Sequence, residues 1–163
     1  MKDILLKLKA CEEAVEWAGD KTAEEVIDTC HRGDWLLWLA NKLKVDDRPF
    51  TLAKGHCVNT VRHLMKDDRS IKAVDAAIAY GNGEISKQKL EVAAYAAYAA
   101  YYAAAYAAAS AYAAYCAASA YCAASAYAAA YAADAAADRK SNQLETADIC
   151  RKYLGHLILE KLC

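Results

Sequence analysis

The chain has 163 residues with 20 Lys plus Arg against 21 Asp plus Glu, so it has the length of one domain and is nearly neutral. That balance argues against nucleic-acid binding by bulk charge. Ile, Leu, Val and Phe supply only 30 residues, whereas Ala supplies 40 and Pro one, a composition that favours helices over strands and, at a net charge of −1, folding over disorder.

Ile4, Leu5, Leu8, Cys11, Val15 and Ala18 recur at helical spacing, which predicts a first helix from Asp3 to Ala18 with Gly19 as its C-cap. Charges break the apolar run of residues 1–9, so the start reads as an amphipathic helix, not a secretory signal. Thr22 with Glu25 makes a capping box for a short second helix carrying Val26, Ile27 and Cys30, ended by His31-Arg32-Gly33. Asp34 is expected to cap a third helix whose Trp35 and Trp38, three apart, share a core-facing side. Pro49 opens the next helix, expected to run through His56, Val58, Val61 and His63 to Leu64, with Gly55 inside it at some cost. After the charged turn 66–69, Ser70 is expected to cap a helix with Ile71, Val74, Ala77 and Ile78, stopped by Gly81-Asn82-Gly83.

From Ser86 no Gly or Pro occurs until Gly155, and residues 93–137 comprise 29 Ala, 10 Tyr, 3 Ser, 2 Cys and one Asp. Ala has the highest helix propensity, so this low-complexity stretch should be helical. Tyr95, Tyr98, Tyr102, Tyr106, Tyr127 and Tyr131 fall in one stripe; Tyr101, Tyr112 and Tyr115 form a second, offset one. One straight helix from Ser86 to Asp138 would be about 80 Å long, twice the breadth of a domain this size, so the segment is expected to fold back as a hairpin. A last helix is expected from about Ser141, carrying Leu144, Ile149, Cys150, Leu154, Leu157, Ile158 and Leu162. The expectation is one all-α domain over 1–163, a compact bundle of roughly six to eight helices. It comprises a short-helix half (1–85), Ala/Tyr-rich helices (86–140) and a C-terminal helix (141–163).

Seven cysteines without a Cys-x-x-Cys pair, mostly among apolar neighbours, fit small hydrophobes in a reducing cytoplasm. Residues 93–133 carry no formal charge and could span a bilayer by length, but Ala is a weak membrane former and Tyr recurs all along the segment, so no membrane role is expected. His56 and His63 lie seven apart on one predicted helical face, yet the four paired ligands of a structural zinc site are missing. Cys30-His31 and His56-Cys57 suggest a thiol nucleophile, but neighbours in a helix point about 100° apart. No phosphate loop, catalytic triad or carboxylate pair stands out; no enzyme activity, metal or cofactor is expected, and Arg32-Gly33-Asp34 reads as chance.

Two uses remain for the aromatic residues. The Tyr stripes fill gaps between Ala faces or present a rigid binding surface, with Tyr95, Tyr98, Tyr102 and Tyr106 as its contacts. His31, Arg32, Trp35, Trp38, His56, Arg62 and His63 would suit an aromatic and basic pocket for a small phosphate-bearing molecule, or a packed core rim. Long faces of Ala and Tyr are hard to bury within one chain, which predicts a homo-oligomer.

Several stretches are also familiar as words: Glu13-Ala14-Val15-Glu16-Trp17-Ala18, Thr29-Cys30-His31-Arg32-Gly33-Asp34-Trp35-Leu36-Leu37-Trp38-Leu39, Gly55-His56-Cys57, Val61-Arg62-His63-Leu64-Met65, Ser70-Ile71-Lys72-Ala73-Val74-Asp75 and Thr146-Ala147-Asp148-Ile149-Cys150-Arg151. Together they closely resemble immunity proteins of the immunity-protein-five-like group, over nearly the whole chain and including an Ala-rich insert before the last of these stretches. The resemblance implies an all-helical fold and a non-enzymatic protein that neutralises a bacterial toxin or effector by occupying it. Similar genes occur in phage and gut-microbe sequences, and the resemblance brings no catalytic set. The alternative function is a phage-type sponge that sequesters a nucleotide-derived signal molecule in the aromatic and basic pocket. Neither function involves nucleic acid or a membrane.

Overall fold

The computed structural model describes residues 1–65, 67–103 and 139–162, with 98–103 and 139–140 described by backbone alone. The described residues form eight α-helices and no strand: α1 (Lys2–Lys7), α2 (Glu12–Ala18), α3 (Ala23–Thr29), α4 (Gly33–Lys42), α5 (Asp47–Asn59), α6 (Asp68–Gly81), α7 (Lys87–Ala103) and α8 (Arg139–Leu162). A 3-10 turn, Arg62–Leu64, joins α5 towards α6. The protein is all-α, as its composition predicts.

The predicted single helix from Asp3 to Ala18 is two helices. Lys9 adopts a left-handed conformation, φ +61°, with the Lys9 amide donating to Leu6 O at 3.0 Å and the Ala10 amide to Leu5 O at 2.9 Å. These two bonds form a Schellman motif, which usually places Gly at the left-handed position. Lys44, φ +54°, ends α4 the same way, with bonds from Lys44 to Asn41 O and from Val45 to Ala40 O. Breaking the chain at Lys9 lets Leu5 and Leu8 reach the same core as Val15 and Ala18.

The capping box at Thr22 forms as expected: the Glu25 amide donates to Thr22 Oγ1 and the Thr22 amide to Glu25 Oε2. Other caps differ. Helix α4 begins at Gly33, so Asp34 lies inside its first turn and binds Arg32 instead of capping. Asp67, not Ser70, caps α6 by accepting the Arg69 amide at 2.8 Å; Ser70 is buried with its Oγ unbonded. Helix α5 stops at Asn59, so His63 lies in the 3-10 turn and does not share a helix with His56. Helix α8, described from Arg139, includes the helix expected from about Ser141, and Gly81-Asn82-Gly83 ends α6 as expected.

Helix α8 lies against α3, α4 and α5, while α6 lies between α5 and α7. Ala147, Cys150, Leu154 and Ile158 recur at helical spacing and are fully buried, giving α8 one continuous inward stripe. It meets Ile27, Leu36, Leu37, Ala53 and Cys57 in one core. Ala73 of α6 faces Ala97 of α7, a pair small enough for close helix approach. The predicted hairpin of the Ala/Tyr-rich segment lies outside the described residues beyond Ala103. Among the described residues no helix is long and apolar enough to cross a membrane.

Candidate functional site

The predicted core face of α4 is rotated. Leu36, Leu37, Leu39 and Ala40 are buried, whereas Trp35 and Trp38 are half-buried at the edge. A helix turns by about 100° per residue, so Leu36, Leu37 and Ala40 pointing inward leave Trp35 against the core along one side only.

That edge is where aromatic rings converge from three elements. Trp17 comes from α2, His31 from the α3–α4 turn and Trp35 from α4. Their centroids form a near-equilateral triangle: Trp17–His31 5.7 Å, Trp17–Trp35 5.7 Å and His31–Trp35 5.6 Å, with interplanar angles of 66°, 54° and 68°. The two edge-to-face contacts of His31 and the tilted Trp17–Trp35 contact add to the burial of each ring. Two cations lie on the triangle. Lys21 Nζ is 4.5 Å from the Trp17 centroid and donates to the Trp17 carbonyl; the Arg32 guanidinium is 4.7 Å from the Trp35 centroid.

The backbone holding His31 is fixed from behind. Arg151 of α8 donates to Ile27 O at 3.2 Å and Cys30 O at 2.8 Å, satisfying carbonyls at the end of α3. The Cys30 thiol donates to Arg32 O at 3.3 Å. Arg32 grips Asp34 with two bonds, 3.0 and 2.7 Å, and reaches Glu13 of α2 at 3.3 Å. The paired Asp34 carboxylate raises the Arg32 pKa above its ordinary value, so the guanidinium stays charged and in place.

Burial pushes the Cys30 thiol up to about 11, which holds it protonated beside His31 and unsuited to nucleophilic attack. Cys57 and Cys150 are fully buried, Sγ to Sγ 3.7 Å, with Cys150 also near Gly33 O at 3.5 Å; they behave as small core hydrophobes. Among the described residues no group of three or more His, Cys, Asp or Glu is placed to hold a metal ion.

Of the remaining predicted site residues, Trp38, His56, Arg62, His63 and Tyr95 have their contacts elsewhere. Trp38 has Lys42 5.6 Å from its ring centroid. His56 of α5 stacks on Tyr153 of α8, centroids 4.9 Å apart, with Nε2 3.1 Å from the tyrosine hydroxyl. Arg62 forms a two-pronged ion pair with Asp75, and His63 is exposed. Tyr95 is 75 % exposed on α7. Tyr98 and Tyr102 belong to the same helix, and Tyr106 lies outside the described residues.

Reading by residue type picked out His31, Arg32 and Trp35 and missed Trp17, Lys21 and Arg151. A signal existed in part: Glu13 and Trp17 are spaced by four, the spacing that aligns side chains along one face of α2, whereas Lys21 lies beyond the Gly19 cap.

Comparison of the chain with protein-family models, with curated proteins and with solved structures finds no match.

Proposed function

We propose that this chain is a cytoplasmic, non-enzymatic binding protein that neutralises a protein target, a toxin or effector, by occupying it, as an immunity protein does. The observation that carries the reading is the Trp17–His31–Trp35 triangle, three rings from three elements locked at the surface with an arginine stacked on one of them. Aromatic residues and arginine dominate binding hot spots, and rings already held in place lose little entropy on binding. The resemblance noted in the sequence supports the same reading.

Sequestration of a phosphate-bearing signal molecule has no comparable focus among the described residues. Arg32 and Arg62 are each held by carboxylates, and His56 is taken up by Tyr153. A phosphate would have to displace Asp34 or Asp75 before either arginine could bind it.

The test is capture of purified toxin and effector domains on the immobilised protein. Trp35→Ala and the exposed-site variant His31→Ala, each checked for native helicity by circular dichroism, are expected to weaken the captured complex by about tenfold or more. A panel that yields no protein partner, or a partner indifferent to both variants, sinks the reading.

A second proposal concerns self-association. Val92 and Tyr95, three apart on α7, are 66 % and 75 % exposed and offer a contact face for a second copy of the chain.

A further inference from the structure

The aromatic triangle has apolar surface to cover, and its surroundings restrict what can cover it. Between Glu12 and Asp34 the chain carries eight carboxylates against two cations, Lys21 and Arg32, although the whole protein has a net charge of only −1. Glu13 and Asp34 are engaged by Arg32, and Glu25 closes the cap at Thr22. Glu12, Glu16, Asp20, Glu24 and Asp28 are exposed and make no ion pair among the described residues. Helices α2 and α3, which flank the triangle, therefore carry an acidic rim.

An acidic or nucleic-acid partner would be repelled by this rim, and a purely apolar one would strip water from carboxylates without replacing it. A cationic partner meets both needs. The face already shows how it accepts cations, with Lys21 over Trp17 and Arg32 over Trp35 at 4.5 and 4.7 Å.

Resting on the binding reading above, we infer that the Trp17–His31–Trp35 face docks a basic protein surface, one that presents arginine or lysine side chains around an apolar contact. The rings supply the central contact, and the carboxylates of α2 and α3 steer the partner and select for its charge.

Three synthetic peptides of equal length test this, built on one alanine–leucine frame with arginine, glutamine or glutamate at the same positions. Titration calorimetry is expected to show the arginine peptide binding about tenfold more tightly than the glutamine peptide, no binding of the glutamate peptide, and loss of affinity with added salt. Trp35→Ala, and separately the triple variant Glu16→Gln, Asp20→Asn, Asp28→Asn, should each weaken the arginine peptide about tenfold. None of these three carboxylates caps a helix, and circular dichroism confirms that the variants fold. Equal binding of the arginine and glutamine peptides overturns the inference. So does an arginine peptide indifferent to Trp35→Ala, which would mark plain counter-ion attraction. If either occurs while Trp35-dependent capture of a protein partner persists, the charge assignment fails and the binding reading stands; if that capture is also absent, both fail.

Discussion

His56 shows how a single half-buried ring couples to solution conditions. Its ring is parallel to Tyr153 within 6°, and Nε2 can accept from the tyrosine hydroxyl only in the neutral form. Burial lowers its pKa below the ordinary 6.5, and the charge of Lys152 lowers it further. The unfolded chain therefore binds a proton at this site at a higher pH than the folded protein does. The stabilisation is present above the ordinary value, fades as pH falls through 6.5 to the lowered folded value, and is flat beneath that. Thermal unfolding between about pH 8 and about pH 5 should show the wild type losing more stability on acidification than His56→Gln does. Identical pH slopes for the two proteins would refute the coupling. The ring was visible in the sequence as a histidine of uncertain use, but its partner lies 97 residues away on α8, and no local pattern encodes that pairing.

At the level of elements, close helix approaches are set by glycines whose role appears only in three dimensions. A Cβ on Gly33 would lie 2.6 Å from the Thr146 carbonyl carbon and 2.8 Å from Thr146 Cβ, and one on Gly81 would lie 2.4 Å from Leu52 Cβ. Helix α4 thus starts hard against α8, and α6 ends hard against α5. Gly155, in mid-α8, leaves 3.2 Å to Ile27 Cγ2, a contact that a small shift of the isoleucine relieves. Denaturant unfolding should accordingly show Gly33→Ala and Gly81→Ala each losing about 2 kcal/mol or more, because backbone must move. Gly155→Ala should stay within about 1 kcal/mol of wild type, since its crowding is offset by helix propensity. Comparable losses at all three positions would contradict this account of the packing. The sequence disclosed these helices wherever the determinant was local, as at the Thr22–Glu25 box and the Gly81-Asn82-Gly83 stop. It misled at Lys9, where lysine takes the left-handed position as the next residue, Ala10, packs against the core; Lys44 before Val45 repeats the motif at a helix end. Propensity reads such a lysine as helix, and tertiary burial overrides it. The site divides in the same way. His31, Arg32 and Trp35 are close in sequence and were legible together, whereas Trp17 joins them through helix packing and Arg151 through a contact 121 residues away.

At the scale of the molecule, the distribution of exposed apolar surface among the described residues sets α7 apart. Its inward side is spent on α6: Leu90 is 2 % exposed beside Ala77 and Tyr80, and Ala97 is fully buried against Ala73. Its outward side presents Val92 and Tyr95, adjacent on the helix surface and both more than half exposed, while the sequence beyond continues mainly as Ala and Tyr, with a few Ser and Cys and no formal charge up to residue 133. A neutral apolar face lacks the repulsion that keeps charged surfaces apart, so pairing between copies is favoured as concentration rises. Sedimentation velocity over a wide concentration range should show the weight-average coefficient rising above the monomer value. Val92→Lys combined with Tyr95→Lys places two positive charges on each copy at the contact and should hold the protein monomeric at concentrations where the wild type associates. Both side chains are mostly exposed in the monomer, so unchanged thermal stability of the variant would assign its effect to association and not to folding. A wild type that sediments as a clean monomer at high concentration would remove self-association from the account. The acidic aromatic face on α2–α4 would be left as the one proposed docking surface, and the basic-partner experiment would be unaffected.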